Sequence, residues 1–277
     1  MKDHKLPVGM SGSTLKIIAI VTMLIDHTGA TVLRAILNQP NIMDNLFNRD
    51  VWVSIYSASR SIGRLAFPIF CFLLVEGFVH TRNVYKYAGR MFLFALISEI
   101  PFDIALKGNL YFPQKQNVYF TLLIGLLVLI GISWCERLFG TDSTNKTRTV
   151  HDIPAASNSK KGVMSALKRS ISVLLFAALS IAIIYAGMSL ASKIDTDYNY
   201  KGVFLIAVLY LLKKNRLYQC AAGAVAVAWE LPASLSFIPV YLYNGTRGRQ
   251  MKYFFYWFYP VHLLLLHVVA EYLIPMF

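Results

Sequence analysis

The sequence predicts an all-α fold, a polytopic transmembrane helical bundle with about nine spans. Hydrophobic residues make up 56% of the 277 positions and charged residues only 15%. The mean hydropathy of +0.52 is above that of soluble domains of this length. Apolar segments recur along the whole chain, with one sizeable polar interruption at about 136–169. We therefore expect a single transmembrane domain over residues 1–277, in which that interruption is a flexible polar loop.

The individual spans follow from the apolar runs and the polar turns between them. They cover residues 15–37, 62–79, 87–106, 118–135, 171–190, 202–212 and 253–277. Residues 217–243 form either two short spans or one bent helix, which gives nine or eight spans in all. Residues 38–61 are expected to form an interfacial loop or a short helix at the headgroups, and Pro68 and Pro101 to interrupt helices.

Charge patterning predicts the orientation and excludes one class of partner. The chain has 27 Lys+Arg against 14 Asp+Glu, but its cations fall between apolar spans and do not form one basic surface. Nucleic acid is therefore not an expected partner, whereas a lipid bilayer is. Lys2 and Lys5 precede the first span, so the N-terminus is expected in the cytoplasm and the protein in the cell (plasma or inner) membrane.

The first span contains an ionisable pair, Asp26 and His27, within an otherwise apolar run. At about 1.5 Å per residue, His27 lies roughly 18 Å from Leu15, near the middle of a hydrocarbon core of about 30 Å. Ionisable residues at that depth face a bundle interior or an aqueous cavity, and they usually mark a functional site. The alternative for His27 is a hydrogen-bonded polar residue between packed helices.

Five phrases in order along the chain carry a family resemblance. They are LKIIAIVTMLIDHTGA, IGRLAFPIFCFLLVEGFVHTRNVYKYAGRMFLFALISEIPFD, NVYFTLLIG, YNGTRG and KYFFYWFYPVHLLLL. Together they closely resemble the TraX family of membrane proteins. That family is named for a conjugation protein that acetylates the N-terminus of pilin, and it is similar to a wider group of transmembrane acyltransferases. The resemblance implies an O- or N-acyltransferase that uses cytoplasmic acetyl-CoA, with an unknown peptide, glycan or lipid as acceptor.

Acyl transfer from a thioester needs a base, a group that stabilises the oxyanion and a groove for the donor. His27 is the candidate base, since the ordinary pKa of histidine, about 6.5, lies near physiological pH. Adjacent helical residues point about 100° apart, so a carboxylate partner for its ring is expected from another span rather than from Asp26. Glu76, Glu99 and Asp103 are the candidates for that partner. Arg64 is expected to polarise the acyl carbonyl or to bind a CoA phosphate.

A second set of candidates serves donor binding, mostly in the loops assigned to the cytoplasm. This set comprises His80, Arg82, Arg90, Arg247 and His262. Cations there would attract the phosphates of CoA, but positive-inside topology and snorkelling also place cations at span ends. Glu76 and His80 have the spacing of a structural ion pair. His262 either orients a partner or hydrogen-bonds within the bundle.

Other chemistries fit the sequence less well. No HExxH motif or Cys/His cluster indicates a metal site, and no GxSxG motif indicates a serine nucleophile. The buried Asp, Glu and His residues would also suit a proton-coupled transporter or flippase, which is the alternative function. A membrane scaffold for an assembly is a third interpretation.

Overall fold

The computed structural model describes residues 9–39, 48–139, 160–249 and 252–276. Within those ranges the secondary structure is helical, apart from turns and two isolated β-bridges. This confirms the all-α prediction. Five helical segments of the described chain are long and apolar enough to cross a membrane.

The first two helices pack closely against each other. Helix α1 covers Gly12–Leu37 and contains a π-helical turn at Gly29–Leu33. Helix α2 covers Arg49–Gly63 and lies beside α1. A Cβ on Gly29 would collide with Ser59, and a Cβ on Gly63 with Asp26, so both glycines allow the close approach. The predicted interfacial stretch 38–61 thus includes most of a helix, while its residues 40–47 lie outside the described ranges.

Helices α3 to α5 form the centre of the chain. They cover Ala66–His80, Val84–Lys107 and Val118–Leu138. A turn at Arg64 and Leu65 separates α2 from α3, so the helical run is interrupted just before Pro68, as predicted. The interruption predicted at Pro101 is wrong, because α4 continues through it. Proline removes a single backbone hydrogen bond, and the burial of Phe102 and Asp103 holds the helix in place.

Helix α6 covers Lys160–Lys193 and α7 covers Asn199–Leu211. The predicted loop 136–169 is therefore shorter at both ends, since α5 extends to Leu138 and α6 begins at Lys160. The remaining residues 140–159 lie outside the described part of the chain. Most of α6 presents apolar side chains outward: only 11% of its most apolar window is buried.

The segment predicted as two short spans or one bent helix consists of three short helices. They are α8 at Arg216–Ala226, α9 at Leu231–Ser234 and α10 at Phe237–Tyr241. Eleven residues of α8 extend about 16 Å, roughly half of a hydrocarbon core. Gly223 of α8 lies against the Phe237 ring of α10, so these short helices pack on each other. Helix α11 covers Lys252–Val268. The number of membrane crossings stays a prediction.

The main core lies between α3, α5 and α7. Its fully buried side chains include Phe72, Leu126, Leu129, Ile206 and Leu209. Gly125 of α5 lies directly against Ile206 of α7, which brings these two helices close together. The remaining helices surround this centre, and α1 and α11 meet on one side of it.

The bundle has two polar ends. At one, called the basic end here, the start of α1 lies beside the turn 80–84 and the segment 243–249. The Gly12 amide donates to the Thr246 carbonyl at 2.7 Å, and Arg247 Nη2 donates to the His80 carbonyl at 3.0 Å. At the opposite end, the loops 108–117 and 194–198 meet, where the Gln116 amide donates to the Asp195 carbonyl at 3.1 Å.

Candidate active site

The centre of the candidate site is a pair of histidines from α1 and α11. Nδ1 of His27 lies 2.6 Å from Nε2 of His262. The rings differ in tilt by 13°, and His262 is only 4% exposed. The ring of Tyr259, one turn before His262, contacts His27 edge-on with a centroid distance of 5.9 Å. The partner of the His27 ring is thus a histidine and not Glu76, Glu99 or Asp103, so the expectation of a carboxylate partner is corrected.

The hydrogen bonds of this pair determine which nitrogen carries each proton. Nδ1 of His262 lies 2.7 Å from the Phe258 carbonyl oxygen, which only accepts hydrogen bonds. With its proton on Nδ1, a neutral His262 has an unprotonated Nε2. His27 must therefore donate its Nδ1–H to that atom, which leaves Nε2 of His27 unprotonated. Among the described residues, Nε2 of His27 has no hydrogen-bond partner, so its lone pair is available as a base.

Asp26, adjacent to His27, pairs with a cation from α2. Arg60 Nη1 donates to Asp26 Oδ2 at 2.7 Å and also lies 3.3 Å from the Asp26 backbone carbonyl. Gly63, the last residue of α2, lies against the same carboxylate, and its lack of a side chain leaves room for this approach. Asp26 Oδ1 is buried and has no partner within the described part of the chain. The pair fixes α2 against the middle of α1, next to His27.

Two further ion pairs lie nearby, the second of them in the loops at the opposite end. Arg64 Nη1 is 3.2 Å from Glu230 Oε1, and Lys115 Nζ is 3.6 Å from Asp197 Oδ1. Burial raises the pKa of the Asp197 carboxyl in the loop 194–198, and the nearby Lys115 opposes that shift. Arg64 also hydrogen-bonds to the Tyr198 side chain. A guanidinium has five N–H groups, so these two partners still leave donors for a ligand.

A cavity of about 700 Å³ contains these groups. Asp26, His27, Arg60 and Arg64 line it, together with residues from α4, α5 and the 197–201 segment. Lys107 at the end of α4, Lys115 and Asp197 also line it, so this cavity extends to the loops at the opposite end of the bundle. We call it the outer cavity. Volumes of roughly 300–1,000 Å³ are typical of small-molecule sites.

A second cavity of about 570 Å³ opens at the basic end. Glu76, His80, Arg82, Arg90 and Arg247 line it, and we call it the basic cavity. These are the predicted donor-binding residues other than His262, together with one of the predicted carboxylates. A cation that sequence reasoning did not select, Lys16, also lines it, since α1 begins at this end.

The two cavities adjoin inside the bundle and share part of their walls. Phe70, Tyr119, Leu122 and Phe255 line both of them. Tyr119 contacts the Tyr259 ring at a centroid distance of 5.3 Å, and Tyr259 in turn contacts His27. Proline at 260 has no amide hydrogen for the Tyr256 carbonyl, and the Tyr119 hydroxyl lies 3.5 Å from that oxygen. His27 therefore lies two ring contacts from Tyr119, in the wall that the two cavities share.

Two of the predicted carboxylates, Glu99 and Asp103, lie outside both linings. Glu99 accepts a hydrogen bond from the Asn117 side chain, and Asp103 Oδ2 accepts from the Phe112 amide at 2.7 Å. Both carboxylates thus anchor the 108–117 loop to α4. Glu76 lines the basic cavity rather than the cavity of His27, and it lies 3.4 Å from Arg216 and 3.9 Å from His80. The structure brings together Asp26, His27 and Arg64, with His262 behind His27.

Sequence reasoning missed several residues of the outer cavity. Arg60 was assigned to an interfacial stretch, although its spacing of four from Arg64 on one helical face was a usable signal. Tyr259 precedes His262 by one turn, which also predicts a shared face. Glu230 stood out only as a charge within an apolar stretch, and its pairing with Arg64 depends on tertiary packing.

Comparison with known proteins identifies a family and one relative. The family model described as "TraX protein" matches residues 11–270. A protein of Dichelobacter nodosus described as "Probable fimbrial assembly protein FimC, serogroup H1" is 30% identical over 280 residues, which cover 94% of this chain and 95% of that protein. No solved structure matches the chain.

Proposed function

The chain belongs to the TraX family of membrane proteins, and we propose that it is an integral membrane acyltransferase. It moves an acetyl group from cytoplasmic acetyl-CoA to a hydroxyl or amine of an acceptor that enters the outer cavity. The observation that carries the proposal is the His27 base, held in one tautomer near the meeting point of cavities from opposite ends. Direct transfer between substrates from two sides requires this arrangement.

The basic cavity is the proposed donor site. The loops at its end carry most of the cations between the apolar segments, so the positive-inside rule assigns this end to the cytoplasm, where acetyl-CoA is present. Arg90, Arg247 and Lys16 offer cationic donors to the phosphates. Nε of Arg90 is buried without a partner among the described residues, so a donor there is available to a ligand. The pantetheine arm would extend past Tyr119 and Leu122 toward His27.

In the proposed reaction, Nε2 of His27 takes the proton from the acceptor hydroxyl or amine as that group attacks the thioester carbonyl. The tetrahedral intermediate carries a negative oxygen, and Arg64 is the proposed donor to it. Collapse of the intermediate breaks the carbon–sulfur bond. The CoA thiolate leaves and takes the proton back from His27, so the products are the acetylated acceptor and CoA. His262 accepts the Nδ1–H bond throughout and stabilises the imidazolium form.

The test uses the purified protein in nanodiscs with acetyl-CoA that is radiolabelled in its acetyl group. Membrane and cell-surface extracts from cells that lack the protein supply the acceptor. We expect label to enter one extract fraction with release of CoA, and His27→Ala to reduce both by about 10²- to 10⁴-fold, the usual contribution of a general base. His267→Ala is the matched control, since His267 lies on the same helix but lines neither cavity. Unchanged transfer in His27→Ala would refute the mechanism.

A proton-coupled transporter or flippase is the second candidate. The feature in its favour is the same pair of cavities, which open at opposite ends with titratable residues between them. It predicts flux of a substrate across proteoliposomes without CoA release. Label transfer that depends on His27 excludes it as the sole function.

A further inference from the structure

The outer cavity contains more cations than its topology explains. Its cationic lining residues are Arg34, Arg60, Arg64, Lys107, Lys115 and Lys201, and its acidic ones are Asp26, Asp197 and Glu230. The positive-inside rule places cations at the basic end, where the donor cavity lies, but not at the opposite end. The positive-inside rule therefore does not account for the surplus of cations in the outer cavity.

Each acid in this cavity already has a cation. Asp26 pairs with Arg60 at 2.7 Å, Glu230 with Arg64 at 3.2 Å and Asp197 with Lys115 at 3.6 Å. The pairs are separate, so no acid serves two arginines or lysines within ion-pair distance. All three acidic charges are thereby compensated.

Three cations are left without a carboxylate within 4.0 Å in the described part of the chain: Arg34, Lys107 and Lys201. They come from three different elements, the end of α1, the end of α4 and the start of α7. Lys107 lies over the Phe112 ring at 5.6 Å and Lys201 over the Trp229 ring at 4.0 Å. A ring holds an ammonium group in place while its N–H donors stay available to a ligand.

We propose that the acceptor is a phosphate-bearing polyol whose phosphate binds between Arg34, Lys107 and Lys201, with a nearby hydroxyl directed to His27. Three cations from separate elements in the lining of one cavity suit a group with several charged oxygens, and each can supply charge-assisted hydrogen bonds to it. A positively charged amine would be repelled by the same surplus. This inference rests on the proposed function for the hydroxyl's reaction, but the anion site itself does not.

Binding without the donor tests the site separately from catalysis. Catalytically inactive His27→Ala protein in phosphatidylcholine nanodiscs is titrated with glycerol phosphate, with glycerol and with tetraglutamate. We expect saturable binding of glycerol phosphate and none of glycerol. Replacing phosphatidylcholine with phosphatidylglycerol shows whether a lipid headgroup competes for the site, which distinguishes a lipid source of the phosphate from a soluble one.

Variants locate the site. Lys107→Gln combined with Lys201→Gln should weaken glycerol phosphate binding at least tenfold. The control combines Lys193→Gln with Arg49→Gln, which removes two exposed charges near the same end but outside the cavity lining. It should change the affinity for glycerol phosphate less than twofold. The proposal is overturned if the variant with Lys107→Gln and Lys201→Gln binds glycerol phosphate as tightly as the protein that keeps both lysines. It is also overturned if the protein with both lysines does not bind glycerol phosphate.

The remaining outcomes separate this inference from the acyltransferase assignment. Binding of tetraglutamate in place of glycerol phosphate overturns the inference in favour of an acidic peptide. Phosphate binding that depends on Lys107 and Lys201, without acetyl transfer by the His27-containing protein, supports the anion site and refutes the proposed function. Acetyl transfer that depends on His27, with no binding of glycerol phosphate, supports the proposed function and refutes the anion site.

Discussion

His262→Leu provides the sharpest test of the histidine pair. The change removes the acceptor for the Nδ1–H of His27. Leucine is apolar and suits this position, which is only 4% exposed. Without that acceptor, the proton of His27 is no longer fixed on Nδ1, and the imidazolium formed during catalysis loses a hydrogen bond. The Phe258 carbonyl loses the ring of residue 262 as a donor but keeps the backbone amide of residue 262 in the same helix, so its loss is smaller.

The magnitude follows from that one bond. A hydrogen bond to a charged group contributes about 1.5–3 kcal/mol, and about 1.4 kcal/mol corresponds to a factor of ten in rate. We expect kcat of acetyl transfer to fall about 10- to 150-fold, with KM for acetyl-CoA unchanged, because His262 does not line the donor cavity. The assay is transfer of labelled acetyl groups from purified protein in nanodiscs.

Two further variants separate positioning from general damage to the fold. His262→Gln retains an oxygen that accepts the His27 bond, so it should recover much of the lost kcat at a similar melting temperature. His27→Ala combined with His262→Leu should be no slower than His27→Ala alone, since His262 acts through His27. A kcat within twofold of wild type in His262→Leu, or additive losses in the double variant, would refute the reasoning.

Three other predictions concern packing, the donor cavity and pH. Gly63→Ala places a methyl group against Asp26 and should lower stability by about 1–3 kcal/mol, seen as a lower melting temperature; the same change at Gly89, which has open space, is the control and should have little effect. Arg247→Gln should raise KM for acetyl-CoA about tenfold with little change in kcat, as expected for a lost charge-assisted bond, whereas Arg249→Gln outside the lining should not; equal KM values in both variants would contradict the donor site. Burial raises the pKa of Asp197, in the loop 194–198, above its ordinary 3.8, so the folded state favours the neutral form and stability falls as pH rises from that value. Asp197→Asn should remove this decline, so its melting temperature relative to wild type should increase with pH; a decrease would show that the Lys115 ion pair dominates.

The sequence indicated the fold class because apolar runs of span length are a local property. A helix in a membrane satisfies its own backbone hydrogen bonds, so each span is predictable without its neighbours. Local signals were weaker where helices are short or interrupted: residues 217–243 became three short helices, and α4 continued through Pro101. Both outcomes depend on the packing of neighbouring side chains.

The site was predictable only in part. Asp26 and His27 stood out because ionisable groups at membrane depth are costly, and the structure places them with Arg64 in one cavity. Glu99 and Asp103 attracted attention for the same reason, yet they anchor a loop. A polar residue within a span signals that it has a partner, but the sequence does not say whether that partner is structural or chemical.

The sequence by itself determined that this chain is a helical membrane protein with an ionisable pair near the middle of its first span, because hydrophobicity and helical rise act residue by residue. Only the tertiary structure decided that His262 is the partner of His27. These residues are 235 positions apart, and their contact follows from the packing of α11 against α1. The same packing places two adjoining cavities near that pair, since a cavity is formed by several helices together.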